Sequence, residues 1–153
     1  CLMRFGVIAC GVRLGAASAE EKRQRERVAE IVEFLGLSAV AREPADTLPY
    51  GFQKRVELGR AMAIEPKVLL LDEPMAGMNH AEKDELMRLI TRLNEDKGVT
   101  LILIEHDMGV VMRLSDRVAV LDHGVKIAEG TPAEVSADEN VIRAYLGCDE
   151  GEY

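Results

Sequence analysis

The segment Val68–Leu71 is continuously apolar and runs directly into Asp72, Glu73 and Pro74. Apolar runs without alternation are typical of strands that are buried on both faces in a parallel sheet. A second run of this kind, Thr100–Ile104, follows a helical segment. The order predicts an α/β domain with acidic residues where the strands end, which is the edge at which open parallel sheets bind ligands.

Helical periodicity surrounds the two predicted strands. Apolar residues from Val28 to Leu35 recur at the spacing of one helix face, and Ser18 with Glu21 predicts a capping box where that helix begins. Gly36 is its expected end. The other predicted elements are helices from about Gly51 to Ile64, Ala81 to Asp96 and Gly109 to Leu114, a hairpin of Val118–Leu121 and Val125–Glu129, and a last helix from Pro132 to about Leu146. We expect two portions, residues 1–65, largely helical, and residues 66–153, which contain the strands.

Charge and composition exclude several classes of function. A formal net charge of -8 argues against a nucleic-acid partner, because such binding depends on lysine and arginine neutralising phosphates. A nucleotide needs only a few local donors and stays compatible with this charge. Cys1, Cys10 and Cys148 have the spacing of neither a disulfide framework nor a zinc site. No apolar run approaches the roughly 18 residues of a membrane span.

Asp72 and Glu73 are the strongest candidates for chemistry. Mg²⁺ prefers oxygen ligands and keeps part of its water shell, so Asp72 is suited to hold it through a water. Glu73 is suited to orient or deprotonate an attacking water. The alternative is a buried strand followed by a solvated acidic turn, which these two residues alone do not exclude.

Two further segments are candidates for phosphate contacts. Residues 48–53 place Gly51 in a turn that opens a helix, where unpaired N–H groups attract phosphate, although such a segment is often only a turn. His106 follows the second strand, at the edge of a parallel sheet where Asp72 is also expected. A lone histidine is more often a structural hydrogen-bonding group than a catalytic one. Its place at the end of a second strand, beside the edge expected to carry Asp72, favours a catalytic role.

Taken in order, these segments resemble the ATPases of ATP-binding cassette (ABC) transporters. Residues 48–53 are similar to the signature segment of that family, usually Leu-Ser-Gly-Gly-Gln, residues 68–74 to its Walker B strand, residues 75–79 to its D-loop, and His106 to its switch histidine. The resemblance spans about residues 20–147. It implies part of the P-loop NTPase fold of ABC ATPases, an α/β fold with a mostly parallel sheet, flanking helices and part of the helical subdomain.

Several details narrow the resemblance to one type of transporter. Residues 48–51, 76–79 and 120–124, together with the tail segments 130–132 and 141–147, are similar to those of branched-chain amino-acid importer ATPases. A urea or amide importer ATPase would share these features.

The resemblance implies a role for each candidate residue. In the family, two ATPase subunits pair head to tail and each ATP lies between them. The implied roles by position are Asp72 for Mg²⁺, Glu73 for the attacking water, His106 for the γ-phosphate, Gly51 with its neighbours Tyr50 and Gln53 for the ATP held by the partner, and Asn79 for contact with the partner. The implied cofactors are ATP and Mg²⁺. The implied partners are a second copy or a second ABC ATPase and, through the helical subdomain, a transporter membrane subunit at the cytoplasmic face of the cell membrane.

The sequence also departs from the family pattern. Pro49 stands in the serine position of the signature and Phe52 in the glutamine position. The phosphate loop Gly-x-x-x-x-Gly-Lys-Ser/Thr, which holds phosphates with backbone N–H groups and a lysine, does not occur in the 153 residues. We therefore expect this chain alone to bind ATP weakly or not at all and to show no hydrolysis. Apolar strand edges left open without that half of the fold predict a dimer or larger oligomer.

Two classes of function stay open. The first is a C-terminal fragment of a working ABC ATPase that powers import of branched-chain amino acids or related solutes. The second is a stand-alone, non-catalytic interaction module that keeps the ABC half as a scaffold. An α/β domain with no nucleotide link is less consistent with four motifs in the expected order.

Overall fold

The computed structural model describes residues 16–146, in two compact units of which the first ends at Ile102 and the second begins at Leu103. The three cysteines lie outside the described residues. The helices are α1 (Ala16–Phe34), α2 (Tyr50–Met62), α3 (His80–Lys97), α4 (Met108–Leu114), α5 (Pro132–Ser136) and α6 (Glu139–Val141). The strands are β1 (Val68–Asp72), β2 (Thr100–Ile104), β3 (Val118–Asp122) and β4 (Val125–Gly130). Short 3₁₀ turns at Ser38–Val40 and Ala45–Thr47 follow α1, and a π-helical turn, Ile142–Leu146, follows α6.

Helix α1 begins earlier than the sequence predicted. Ser18 and Glu21 lie inside Ala16–Phe34, so the expected capping box at Ser18 is wrong. Alanine is the strongest helix former, and three alanines at positions 16, 17 and 19 carry the helix past the serine. The predicted end is confirmed, because Gly36 has a φ of +66°, the left-handed conformation that terminates helices.

Helices α1 and α2 pack closely where α2 carries a glycine. A Cβ added at Gly59 would lie 2.9 Å from Cδ1 of Leu35 and 3.3 Å from Cγ2 of Ile31. Leu35 is completely buried. The missing side chain at Gly59 therefore permits the approach of the two helices.

Helix α3 has well-defined signals at both ends. Asn79 forms its N-cap, and Gly98, with a φ of +65°, forms its left-handed C-cap. The apolar face predicted from helical spacing is buried and consists of Leu86, Leu89, Ile90 and Leu93. The predicted helix from about Ala81 to Asp96 is confirmed, and it connects the first two strands.

Strands β1 and β2 are hydrogen-bonded neighbours. The amide of Thr100 donates to the carbonyl of Lys67 at 2.9 Å, so both strands begin at the same edge and run in the same direction, as expected for a crossover through α3. Leu69 is buried, whereas the side chains of Val68 and Leu70 are 48% and 67% exposed. The expectation that β1 is buried on both faces is therefore wrong for this chain, because no described element covers Leu70.

The second unit is built on an antiparallel hairpin of β3 and β4. The pair Asp122 and Val125 closes a two-residue turn in which His123 and Gly124 have φ values of +46° and +80°. Positive φ at both central residues defines the type I′ turn favoured in hairpins. The register shifts by one residue beside Ile127, and the buried core of this unit consists of Val118, Val120, Val135 and Val141.

The chain after β4 does not form one long helix. Helix α5 ends at Ser136, and Asp138 then caps α6 by accepting a hydrogen bond from the amide of Asn140 at 2.8 Å. An aspartate side chain competes for backbone amides and favours a cap over a helix interior, which explains why the predicted helix from Pro132 to Leu146 is interrupted. Among residues 16–146, no helix has both the length and the hydropathy to span a bilayer.

Candidate functional site

Asp72 and Glu73 lie where β1 ends. Asp72 is the last residue of the strand, and both side chains are exposed to solvent. Glu73 has a φ of +42°, a left-handed conformation that is uncommon for a residue with a side chain. Such strained positions cost on the order of 1–3 kcal/mol and cluster at functional sites. The backbone thus turns sharply at the residue that the sequence singled out for activating water.

A cavity of about 220 Å³ lies beside β1, and Asp72 contributes to its wall. Lys54 and Glu57 of α2 line the same cavity, together with apolar residues of β1 and α3. Lys54 Nζ donates to Glu57 at 3.1 Å, and this hydrogen bond raises the pKa of Lys54 above its usual value. The cavity wall therefore carries the protonated amine of Lys54 and the carboxylates of Glu57 and Asp72.

The start of α2 is capped by backbone alone. Pro49 is the N-cap residue and offers no side-chain hydrogen bond, while its carbonyl accepts from the amides of Phe52 at 2.9 Å and Gln53 at 3.1 Å. The side chain of Gln53 donates to the carbonyl of Leu48 at 2.8 Å. Gln53, predicted to bind a nucleotide, therefore uses its amide group to hold the preceding loop against the helix.

Tyr50 connects the start of α2 to the loop after β1. Its hydroxyl donates to the carbonyl of Ala76 at 3.0 Å. Its ring lies against Gly77, where an added Cβ would be 3.6 Å from Tyr50 Cε1. Gly77 has a φ of +74°, so glycine is favoured there by backbone conformation, whereas an added Cβ would make only ordinary van der Waals contact with the ring.

Asn79 and Glu82 form a second connection between these segments. Asn79 Oδ1 accepts from the amide of Glu82 at 3.0 Å, and the amide of Asn79 donates to Glu82 Oε2 at 3.0 Å. The same carboxylate reaches α2, since a Cβ added at the buried Gly51 would lie 3.1 Å from Glu82 Oε1. Glu82 was not singled out from the sequence, although Asn followed three residues later by Glu is a capping-box pattern.

Comparisons with known proteins show which family the chain resembles. The family model described as "ABC transporter" matches residues 4–76, and the model described as "Branched-chain amino acid ATP-binding cassette transporter" matches residues 125–147. The chain is 43% identical over 127 residues to BraF of Pseudomonas aeruginosa, a high-affinity branched-chain amino acid transport ATP-binding protein. It is 40% identical over 145 residues to LivG of Salmonella typhimurium, which has the same description.

The chain belongs to the ATP-binding protein family of ABC transporters. Within that family it is of the branched-chain amino-acid type. It spans about half the length of the curated relatives it matches, since the alignments cover 83% of this chain and 50% of BraF, and 95% of this chain and 57% of LivG.

Solved structures show the fold of this ABC ATP-binding chain. The ADP conformation of MJ1267, an ATP-binding cassette of an ABC transporter, matches with a TM-score of 0.74 and 33% identity over 82% of this chain and 50% of that one. CbiO1 from Clostridium perfringens, part of the transporter complex cbiONQ, matches with a TM-score of 0.72 and 36% identity over 80% of this chain and 49% of that one. The predicted partial ABC ATPase fold is confirmed.

The predicted site residues of the ABC chain fall into three groups. Tyr50, Gly51 and Asn79 come together where α2 and α3 begin, and Asp72 with Glu73 directly precedes the loop that Tyr50 contacts. His106 is exposed in the second unit, between β2 and the N-cap of α4. Within residues 16–146, no group of three or more His, Cys, Asp or Glu side chains could hold a metal ion by itself. An exposed Asp72 carboxylate nevertheless fits Mg²⁺ that keeps several waters and binds phosphate oxygens.

Proposed function

We propose that this chain is the C-terminal part of an ATPase subunit that powers import of branched-chain amino acids or related solutes, and that it does not hydrolyse ATP by itself. The observation that carries the proposal is the joining of the Tyr50–Gly51 helix start to the loop that follows Asp72 and Glu73. The descriptions of BraF and LivG supply the solute class. The 153 residues contain no phosphate loop, which supports the second half of the proposal.

The candidate residues divide the work in the proposed ATPase. Bound Mg²⁺ would supply charge neutralisation at the phosphates. Asp72, at the exposed end of β1, would hold the ion through a water, and Glu73 would orient the attacking water and accept its proton. His106, with a ring nitrogen as donor, contacts the terminal phosphate of the same subunit. Each of these groups adds positioning or charge stabilisation, which make up most of the catalysis of phosphoryl transfer.

The remaining candidates face the second ATPase subunit in this proposal. Gly51 and Tyr50 present backbone N–H groups at the start of α2 to the nucleotide that the partner holds, since helix starts favour anions. Gln53 supports that turn through its bond to Leu48. Asn79 lies at the edge of the same surface, where its Oδ1 is used to cap α3.

The proposed partners follow from the exposed surfaces and from the family. The second ATPase subunit is another copy or a related ATPase, and α1 belongs to the region that faces the transporter membrane subunit. The chain would then reside in the cytoplasm, at the inner face of the cell membrane. The open apolar face of β1, with Leu70 67% exposed, is the surface that the N-terminal half of the fold would cover.

The proposal is tested by restoring the missing half. MgATP is titrated by calorimetry into the chain alone and into a fusion of the N-terminal half of BraF to this chain, and phosphate release is measured for both. We expect no saturable heat and background hydrolysis for the chain alone, and binding with hydrolysis for the fusion. If the chain alone hydrolyses ATP and Glu73→Gln abolishes that activity, the proposal that hydrolysis needs the N-terminal half is wrong.

Two variants of the fusion assign the role of Glu73. Glu73→Gln should retain MgATP binding and reduce kcat by about 100-fold or more, because general-base contributions are typically 10²–10⁴-fold. Glu95→Gln, a matched change of an exposed glutamate on α3, should leave kcat unchanged. If the fusion binds no MgATP at all, the non-catalytic interaction module becomes the better assignment.

A further inference from the structure

We infer that Tyr50 is a positioning residue, which holds the loop Met75–Asn79 against the start of α2 so that both segments present one surface to the partner subunit. The inference rests on the proposed function, in which these two segments face the second ATPase subunit. It adds Tyr50 to the proposed site as a residue that acts on the partner subunit indirectly, through the position of this loop.

The contacts of Tyr50 are placed to order the middle of the loop. Met75 and Met78 anchor the loop in the interior, with 1% and 8% of their surfaces exposed. Between these two anchors, the hydroxyl of Tyr50 donates to the carbonyl of Ala76 and its ring lies beside Gly77. Tyr50 therefore holds Ala76 and Gly77, the two loop residues with the smallest side chains.

The orientation of the ring is itself supported by α2. Lys54, one helical turn later, places Nζ 5.5 Å from the centre of the Tyr50 ring, within the range of a cation–π contact. A glycine, which the related signature Leu-Ser-Gly-Gly-Gln has at this position, has no side chain to make these contacts. A tyrosine here consequently ties the loop to the helix in a way that the glycine signature does not.

Hydrogen exchange of the chain itself tests the structural part of the inference. In the loop, the amide of Ala76 donates to Glu73 O and the amide of Met78 donates to Met75 O, at 3.1 and 3.2 Å, so both amides report loop opening. Tyr50→Phe removes only the hydroxyl and should speed their exchange about 3- to 10-fold, the effect of losing one typical hydrogen bond. Tyr50→Ala, which also removes the ring, should have a larger effect.

A matched control is provided by the second unit. Tyr145 also donates its hydroxyl to a backbone carbonyl, that of Leu121. Tyr145→Phe removes the same kind of hydrogen bond and should leave exchange at Ala76 and Met78 unchanged. Unchanged exchange at those amides in both Tyr50→Phe and Tyr50→Ala would overturn the inference.

The functional part is tested in the fusion with the N-terminal half of BraF. Tyr50→Phe should lower kcat about 3- to 10-fold while the KM for ATP stays within about twofold, because the phosphate loop of the other half sets nucleotide affinity. Tyr145→Phe should change neither constant. If the Tyr50→Phe fusion has an unchanged kcat, the tyrosine only stabilises the loop and its positioning role is overturned. An inactive unsubstituted fusion would instead count against the proposed function, while the exchange experiment still decides whether the hydroxyl orders the loop.

Discussion

Two capping boxes within residues 16–146 have the same local chemistry and different surroundings. In the first unit, Asn79 and Glu82 exchange hydrogen bonds at the start of α3, and in the second, Thr131 and Glu134 do so at the start of α5. In both, a glycine lies against the glutamate carboxylate. That glycine is Gly51, on another helix, in the first box, and Gly130, the residue just before the cap, in the second.

This difference separates a local function from a long-range one. The box at Thr131 fixes the passage from β4 to α5 and involves only neighbouring residues. The box at Asn79 fixes the start of α3 and also brings a carboxylate to the buried first turn of α2. A motif that is equivalent along the sequence thus connects the two segments of the candidate site in one unit and closes a turn in the other.

Adding a methyl group at each glycine should give the largest difference between the boxes. In Gly130→Ala the new Cβ would meet Glu134 Oε2 at 2.8 Å and Glu134 Cβ at 3.1 Å, and a Cβ cannot be moved by a side-chain rotation alone. We expect the free energy of unfolding to fall by about 1–3 kcal/mol, as for other overpacked sites. The measurement is urea unfolding followed by circular dichroism.

The matched variant Gly51→Ala should cost much less stability. Its new Cβ would meet the carboxylate and Cγ of Glu82, at 3.1 and 3.3 Å, and both of these groups lie beyond Cβ, so that rotation about the side-chain bonds can move them. Alanine also favours the helix over glycine by about 1 kcal/mol, which offsets part of the crowding. Equal losses in the two variants would show that Glu82 is as immobile as the backbone around Glu134, and the contrast between the boxes would fail.

Removing each cap residue should give similar losses of stability and different patterns of hydrogen exchange. Asn79→Ala and Thr131→Ala should each lower the free energy of unfolding by about 1 kcal/mol, a typical N-cap contribution. In Asn79→Ala the bond from the Glu82 amide to Asn79 Oδ1 is lost, while the backbone amide of residue 79 can still donate to the Glu82 carboxylate. We expect faster exchange at Phe52 and Gln53 of α2 as well, because the turn from which Glu82 reaches Gly51 is then less firmly held. Exchange changes in Thr131→Ala should stay near α5. If the first turn of α2 is unaffected by Asn79→Ala, the box does not connect the two helices.

Acid should weaken the capping box of Thr131 and Glu134 and lower the stability of the fold slightly. The backbone hydrogen bond from Thr131 lowers the pKa of Glu134 below 4.5. A folded-state pKa below the unfolded value means that the contribution is present above about pH 4.5 and is lost as the pH falls through the folded pKa. Glu134→Gln should therefore make the Tm less dependent on pH between about 3 and 5. An unchanged pH dependence in thermal unfolding would show that the Thr131 contact does not hold the ionised form.

Much of the local structure could be predicted from the sequence. The continuous apolar runs located β1 and β2, and the predicted helix from about Ala81 to Asp96 located α3. The pattern that predicts a capping box, however, occurs at several positions, and the one chosen, Ser18 with Glu21, lies inside α1. Alanines before Ser18 extend that helix, whereas Asn79 and Thr131 have no such neighbours and do become caps.

The sequence by itself determined most of the helices and strands, because helical spacing, apolar runs and caps depend on residues within a few positions of each other. The order of its motifs gave the carboxylates at the end of β1 and the resemblance to the family. Only the tertiary structure decided that Tyr50 meets Ala76, that Glu82 lies beside Gly51, and that one face of β1 is open to solvent. Contacts between separate elements depend on how helices and strands pack, and the local pattern of either partner does not contain that information.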